Sequence, residues 1–457
     1  MKDMTKGSPM NMIVLFAVPM LLGSIFQQFY NLADTRIVGQ YLGENALAAV
    51  GATSSINTVV LGFMHGLSTG FSLTTARFFG AKDEEKIKQS VAANIVLSSA
   101  TCLVLTVLSL LLLEPLMRAI NVDEQIFEDA KGYISVIMVG MAALLSYNIA
   151  ASLMRAIGDT VMPLIFLIFS AIVNIGLDIL FVRTLMLGIK GAAYATVISS
   201  AISAVLCVIY MKVKYPILIP SARHFKFSAN LAINMYASGS SVGLMSSMVG
   251  IGSLILQGAI NDLGRDTIVA HVAARKMSEL FMMPMMAFGA AGANFAGQNY
   301  GAGRYDRVRK GFKDAVLLTW IWSTVTVIAA FTVTPMFVRA VTATENEYII
   351  GTACRYTHFN MPCYYILGMV FVMRNGLNGI GMKIMPIASG FIELVGKIAV
   401  AFLLAPRIGY KGIIISEPIT WALMLPALAY GLISNKEMKK SIAQVYKTEK
   451  PEKVRLQ

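Results

Sequence analysis

Apolar residues run through this chain in stretches of about 20 to 30, parted by short polar connectors. The runs fall at residues 10–35, 46–75, 87–113, 131–156, 161–183, 190–212, 228–260, 268–296, 311–335, 349–373, 384–405 and 411–433. A helix crosses the hydrocarbon core of a bilayer with about 20 predominantly apolar residues, so the pattern predicts twelve membrane-spanning helices. Gly, Pro and charge gather in the connectors, none of which is long enough to form a soluble domain. The first run, 10–32, is too long for the apolar part of a cleavable signal and no A-x-A site follows, so it reads as the first span. The polar, basic tail after Ser434 is expected to fray outside the bilayer.

The spans repeat. Sliding the chain by 221 residues lays Leu42-Gly43 on Leu263-Gly264, Ala49 on Ala270, Ala52 on Ala273 and Met64 on Met285. In the same register Gly80-Ala81 meets Gly301-Ala302, Gly188 meets Gly409 and Lys190-Gly191 meets Lys411-Gly412. With small gaps, Met154-Arg155 meets Met373-Arg374 and Pro163 meets Pro386. A common register over most of a half chain marks an internal repeat. Six spans per half is an even number, so both halves insert with the same orientation. The expected fold is an all-α polytopic membrane protein, twelve helices in two pseudo-symmetric six-helix bundles. The expected divisions are an N-lobe at 1–215, a cytoplasmic linker at 216–227, a C-lobe at 228–433 and a tail at 434–457. Parallel repeats of this kind bind substrate between the halves and rock for alternating access.

Composition narrows the class. Of 457 residues, 56% are apolar and only 14% charged, with mean hydropathy +0.66. That excludes a soluble enzyme, a disordered chain and a disulfide scaffold. Cys102, Cys207, Cys354 and Cys363 form no CxxC pair and read as buried thiols. The net charge of +13 raises nucleic acid or anionic lipid as partners, and its distribution decides. Of the 38 Lys and Arg, 25 fall on the face that holds both termini, nine on the other, and four lie in or near spans. The positive-inside rule then puts both termini in the cytoplasm. Nucleic acid is not needed: most of the charge excess encodes topology, and a basic cytoplasmic face also suits contact with anionic membrane lipid.

Ionisable residues inside spans are costly and mark function by default. Asp34 ends the first span, with Tyr30 and Asn31 one helical turn before it. Asp178 lies mid-span, with Asn174 at i−4 on the same face, and Thr196 lies mid-span in the sixth run. Two carboxylates, an amide oxygen and a hydroxyl make a hard oxygen cage suited to Na⁺ or a proton relay. Two carboxylates held together resist double ionisation, so one is expected to take up a proton. The second half breaks the symmetry: Lys397, Ala401 and Glu417 stand where Asn174, Asp178 and Thr196 stand in the first. Glu279 and Glu393 have Arg275 and Lys397 at four-residue spacing, which predicts pairs within a helix. Gln27, Asn31, Met245, Met248, Met282, Met286, Glu279 and Glu417 are candidates for a substrate cleft, because flexible, polarizable Met suits promiscuous surfaces. Two Gly-x-Ser-x-Gly stretches, 66–70 and 239–243, lie inside apolar helices. There they permit close packing and form no hydrolase elbow. No P-loop is present, so nothing points to ATP-driven transport.

Four stretches together resemble the multidrug and toxic compound extrusion (MATE) family over nearly the whole length. They are Pro19 through Gly43, with Asn31-x-x-Asp34 and Val38-Gly39; Arg155-Ala-Ile-Gly158-Asp159-Thr160 with Pro163; Asn174-x-x-x-Asp178 followed by Gly188-Ile-Lys-Gly191-Ala-Ala-Tyr-Ala-Thr196; and Gly297-Gln298-Asn299-Tyr300-Gly301-Ala302-Gly303-Arg304. The resemblance implies two six-helix lobes around a cleft and export of organic cations coupled to inward Na⁺ or H⁺. In the DinF-like branch, which looks most similar, the coupling site is in the N-lobe. Its two aspartates, asparagine and threonine match Asp34, Asp178, Asn174 and Thr196, and a nearby tyrosine matches Tyr30. The NorM-like branch uses acids of the seventh and tenth helices, and this chain has none within those spans; Ser246 and Ser247 lie near the seventh. The expectation is a multi-pass antiporter of the cell's inner membrane, working as a monomer on small organic cations, without enzymatic activity or a cofactor beyond the coupling ion. A lipid-linked oligosaccharide flippase of related fold is the alternative. It should carry several cleft arginines, and only Arg275 and Arg355 are candidates for that role within spans. A major facilitator transporter shares the layout, but the connector Gly80-Ala-Lys-Asp-Glu-Glu-Lys lacks its signature.

Overall fold

The computed structural model describes residues 3–439; the expected tail therefore lies mostly outside the described residues. Every regular element among them is helical: α1 Pro9–Leu42, α2 Glu44–Gly80, α3 Glu84–Ala119, α4 Phe127–Val139, α5 Met141–Ala156, α6 Val161–Asp178, α7 Ile189–Lys214, α8 Ala229–Asn261, α9 Arg265–Gly301, α10 Tyr305–Thr332, α11 Thr334–Thr342, α12 Glu347–Asn360, α13 Tyr364–Gly379, α14 Ile384–Ala399, α15 Ala405–Ile408 and α16 Tyr410–Ser434. Among the described residues, ten helices are long and apolar enough to cross a membrane, and α4 with α5, bent by 47° between them, makes an eleventh. The remaining expected span is α12 and α13. It is broken at a 3-10 turn, Met361–Cys363, whose Pro362 cannot donate the next helical hydrogen bond. Large apolar side chains stand outward on these helices. Leu103 and Leu111 of α3 are 67% and 70% exposed, and Ile328 of α10 is 61% exposed. Water would penalise such surfaces; acyl chains do not. This is a multi-pass membrane protein.

Two compact units divide the chain. Unit 1 holds residues 18–250 and unit 2 holds residues 4–17 and 251 onward. Two hydrophobic clusters fill unit 1, one around Leu67, Phe71 and Ile134 and one around Met154 and Cys207. Unit 2 packs around Ala273 and Tyr356, and around Ile260 and Ile413. The boundaries do not fall in the connector 216–227, which lies within unit 1. They cut through two helices: α1 passes from unit 2 to unit 1 after Ala17, and α8 passes from unit 1 to unit 2 after Gly250. The two opening helices of the repeats thus exchange units.

The repeat seen in the sequence has a structural cause. Gly43 and Gly264 cap the starts of α2 and α9 with φ of 84° and 87°, and Gly188 and Gly409 precede α7 and α16 with φ of 64° and 59°. Only glycine adopts these angles without strain. Each repeat also carries a π-helical turn after its fifth span begins, Ile179–Thr184 behind α6 and Val400–Leu404 behind α14. Such turns recur at functional sites.

The Gly-x-Ser-x-Gly stretches let two helices of unit 1 touch along their backbones. A Cβ on Gly66 would sit 2.7 Å from Gly243 Cα, and one on Gly70 would sit 2.5 Å from the Ser238 carbonyl oxygen. Backbone cannot step aside as a side chain can. Gly70→Val is therefore expected to cost about 3 kcal/mol, read as a lower unfolding temperature of the purified protein. Gly62→Ala, which has nothing within 4 Å, should leave that temperature unchanged.

Candidate cation site in unit 1 and charge pairs in unit 2

Three helices of unit 1 bring the expected residues together. Tyr30 and Asp34 are one turn apart on α1. Asn174 and Asp178 are one turn apart on α6, where Asp178 is the last residue before the π turn. Thr196 comes from α7. Its hydroxyl oxygen lies 3.4 Å from the Tyr30 hydroxyl and accepts from Asn174 Nδ2 at 3.4 Å. The carboxyl groups of Asp34 and Asp178 are close enough to interact. Asp178 is fully buried and Asn174 nearly so.

What these groups lack is the notable feature. Asp34 Oδ1, Asn174 Oδ1 and both oxygens of Asp178 are buried without a hydrogen-bond partner. No lysine, arginine or histidine among the described residues forms an ion pair with either aspartate. Burying an ionised carboxylate without compensation costs several kcal/mol. The donor set fits a small hard cation or a proton, both of which oxygen atoms alone can hold. No three His, Cys, Asp or Glu side chains gather as metal ligands among the described residues. Tyr133 of α4 was not found in the sequence. It is 8% exposed and packs in the interior of unit 1. In its run Tyr133 is one of several polar side chains, and no helical spacing links it to Asp34 or Asp178, so only folding reveals it.

Unit 2 handles its acids in the opposite way. Glu393 receives Arg374 Nη2 at 3.1 Å and Lys397 Nζ at 3.1 Å, and Lys397 also donates to Ser253 Oγ at 3.1 Å. Arg374 Nε donates to Ser389 Oγ at 2.9 Å. The predicted Glu393–Lys397 pair is present; Arg374 is the addition. The predicted Arg275–Glu279 pair is replaced. Arg275 reaches across to Glu417 Oε1 on α16 at 2.7 Å, and Tyr356 donates to Glu417 Oε2 at 2.8 Å. Glu279 pairs with Lys276 at 3.4 Å and is partly exposed. Glu417, expected as a cleft acid, is therefore neutralised in the interior of unit 2.

The other cleft candidates divide. Gln27 and Asn31 are exposed on α1, and Met248 is half-buried on α8. Met245 is only 8% exposed and packs as interior. On α9, Met282 is half-buried and Met286 is 53% exposed. Gln27, Asn31, Met245 and Met248 belong to unit 1, while Met282, Met286, Glu279 and Glu417 belong to unit 2.

The MatE family profile matches this chain twice, over residues 19–180 and 241–403. The chain belongs to the MatE family. One match covers each repeat, as the common register in the sequence requires. Among similar proteins, the probable multidrug resistance protein YoeA of Bacillus subtilis is 24% identical, over 96% of this chain and 97% of its own length. The probable multidrug resistance protein YpnP of the same organism is 29% identical over 67% of this chain and 68% of its own. A crystal structure of MATE in the bent conformation superposes with a TM-score of 0.88 at 22% identity, covering 96% of this chain and 98% of the other. The MatE chains share this twelve-helix architecture, and the membership removes the major facilitator alternative.

Proposed function

We propose that this protein is a secondary active antiporter that exports small organic, mainly cationic, drugs in exchange for inward H⁺ or Na⁺. It works in the cell's inner membrane with both termini in the cytoplasm. Asp34 and Asp178 hold the coupling ion, and Asn174, Thr196 and Tyr30 complete its cage. The observation that carries the reading is the contrast between units. Asp34 and Asp178 of unit 1 have buried, partnerless oxygens, while Glu417 and Glu393 of unit 2 are matched by Arg275, Arg374 and Lys397. A charge deficit inside a membrane protein is filled by a mobile cation or left as a large energetic cost.

The mechanism follows from that deficit. A cation entering from outside neutralises the two carboxylates and draws Asp34 of α1 toward Asp178 of α6. Binding shifts the equilibrium between the two cleft openings by as much as its affinity differs between them. The inward membrane potential favours entry by about 2.3 kcal/mol per charge for each 100 mV. Partly exposed Met248, Met282 and Met286 offer adaptable apolar surface to varied drugs. The names of YoeA and YpnP support this substrate range, and none of the site observations favours a flippase. In everted vesicles, with proton and sodium gradients imposed independently, ethidium transport should follow one or both gradients. Transport indifferent to both would contradict the reading.

A further inference from the structure

The Gly297–Arg304 stretch is one of the motifs that marks the family, and the coupling site does not use it. In unit 2 it forms a socket for the start of the chain. Gln298 Oε1 accepts from the Met4 amide at 3.0 Å, and Asn299 Nδ2 donates to the Met4 carbonyl at 3.1 Å. Arg304 Nη1 donates to the Thr5 carbonyl at 3.1 Å. Arg307 donates through Nη1 to the Gly7 carbonyl at 2.9 Å, and through Nη2 to the carbonyls of Met4 and Lys6 at 3.1 and 3.3 Å. All four carbonyls from Met4 to Gly7 are held, and Met4 is 1% exposed. Arg307 is itself fixed: Nε donates to Asn299 Oδ1 at 2.9 Å and the guanidinium lies 5.6 Å from the Phe295 ring centre. A cation in the first turn of a helix opposes the helix dipole. Arg307 sits in the first turn of α10 all the same, and its carbonyl bonds offset that cost.

The gripped segment leads directly into α1. That helix starts in unit 2, leaves it after Ala17 and carries Tyr30 and Asp34 in unit 1. The other exchanging helix, α8, is tethered in a parallel way. The turn before it places Arg223 and His224 on Glu85 of α3, each at 3.3 Å. Both helices that pass between units are thus held where they begin.

We propose that Gln298, Asn299, Arg304 and Arg307 form a clamp that fixes the start of α1 to unit 2, so that movement of its Asp34 end on cation binding is passed to unit 2. Arg307 is a positioning residue for coupling and takes no part in holding the cation. The proposal rests on the coupling reading above. The test uses full-length protein in proteoliposomes, with cation uptake and ethidium export measured together. Arg307→Gln removes the three charge-assisted bonds to the carbonyls of Met4, Lys6 and Gly7 and the one to Asn299, and should lower the ethidium-to-cation ratio about tenfold. Cation uptake should stay within about twofold of wild type, since its ligands are untouched. Removing residues 2–7 should give the same ratio, and Arg307→Lys an intermediate one. Lys310→Gln, which removes a charge from the exposed side of the same helix, should change nothing. Equal loss of uptake and export in both Arg307→Gln and the truncation, or a wild-type ratio in both, would overturn the clamp. Asp178→Asn run alongside separates the two ideas. If it keeps cation uptake the coupling reading fails, while the ratio in Arg307→Gln still reports on the clamp.

Discussion

Asp178→Asn is expected to fold as well as the wild-type protein and to export nothing against a gradient. The substitution keeps the size of the side chain and removes a buried carboxylate that no basic side chain among the described residues balances. Burial of such a charge costs several kcal/mol, so its removal should leave the unfolding temperature equal or raise it. Function should move the other way. With one carboxylate gone, the site loses half of its charge for the coupling cation, and gradient-driven ethidium efflux should fall by at least about tenfold. Asp34→Asn should do the same. The double variant should be no worse than either alone, because both residues act as one site. Thermal unfolding of the purified variants and efflux in vesicles check the two halves. A destabilised Asp178→Asn would mean that the carboxylate has a structural partner.

Glu393→Gln should show the reverse. Glu393 lies between Arg374 and Lys397, and the three side chains are 9%, 7% and 5% exposed. Removing the acid leaves two buried cations facing each other without compensation, a change that typically costs about 3–5 kcal/mol. The expected result is a marked fall in unfolding temperature and in the yield of folded protein. Adding Lys397→Met removes one of the stranded cations and should restore much of the loss. Molecules that do fold should still respond to the cation gradient, since unit 1 is intact. If Glu393→Gln folded normally and lost only its cation response, unit 2 would carry the coupling site and the assignment would be reversed.

The outcome for the two acid sets explains what was legible in the sequence. Asp178 and Asn174 could be found because four-residue spacing puts them on one face of an otherwise apolar helix. The repeat could be found because its fixed points are glycines at angles no other residue takes easily, as at Gly43 and Gly264. Pairings between distant segments could not. Arg275 and Glu417 are 142 residues apart, and the nearer Glu279 was the natural partner by spacing alone. Arg374 follows a span on the cytoplasmic side in the sequence, and only folding shows it buried beside Glu393. Arg307 lies in a basic cytoplasmic connector by sequence, and nothing local shows that residues 4–7 return to it. The exchange of α1 and α8 between units was hidden for the same reason. An apolar run fixes where a helix lies along the chain and leaves open which neighbours it packs against.

If Asp34 and Asp178 hold the coupling cation, the purified protein should bind it through them. Proton uptake and sodium binding should be measured on wild type and on Asp178→Asn, in detergent and without drug. Wild type should bind one of these cations, and Asp178→Asn should have lost that binding while remaining folded. Binding of the same cation by Asp178→Asn with wild-type stoichiometry and affinity would contradict that assignment.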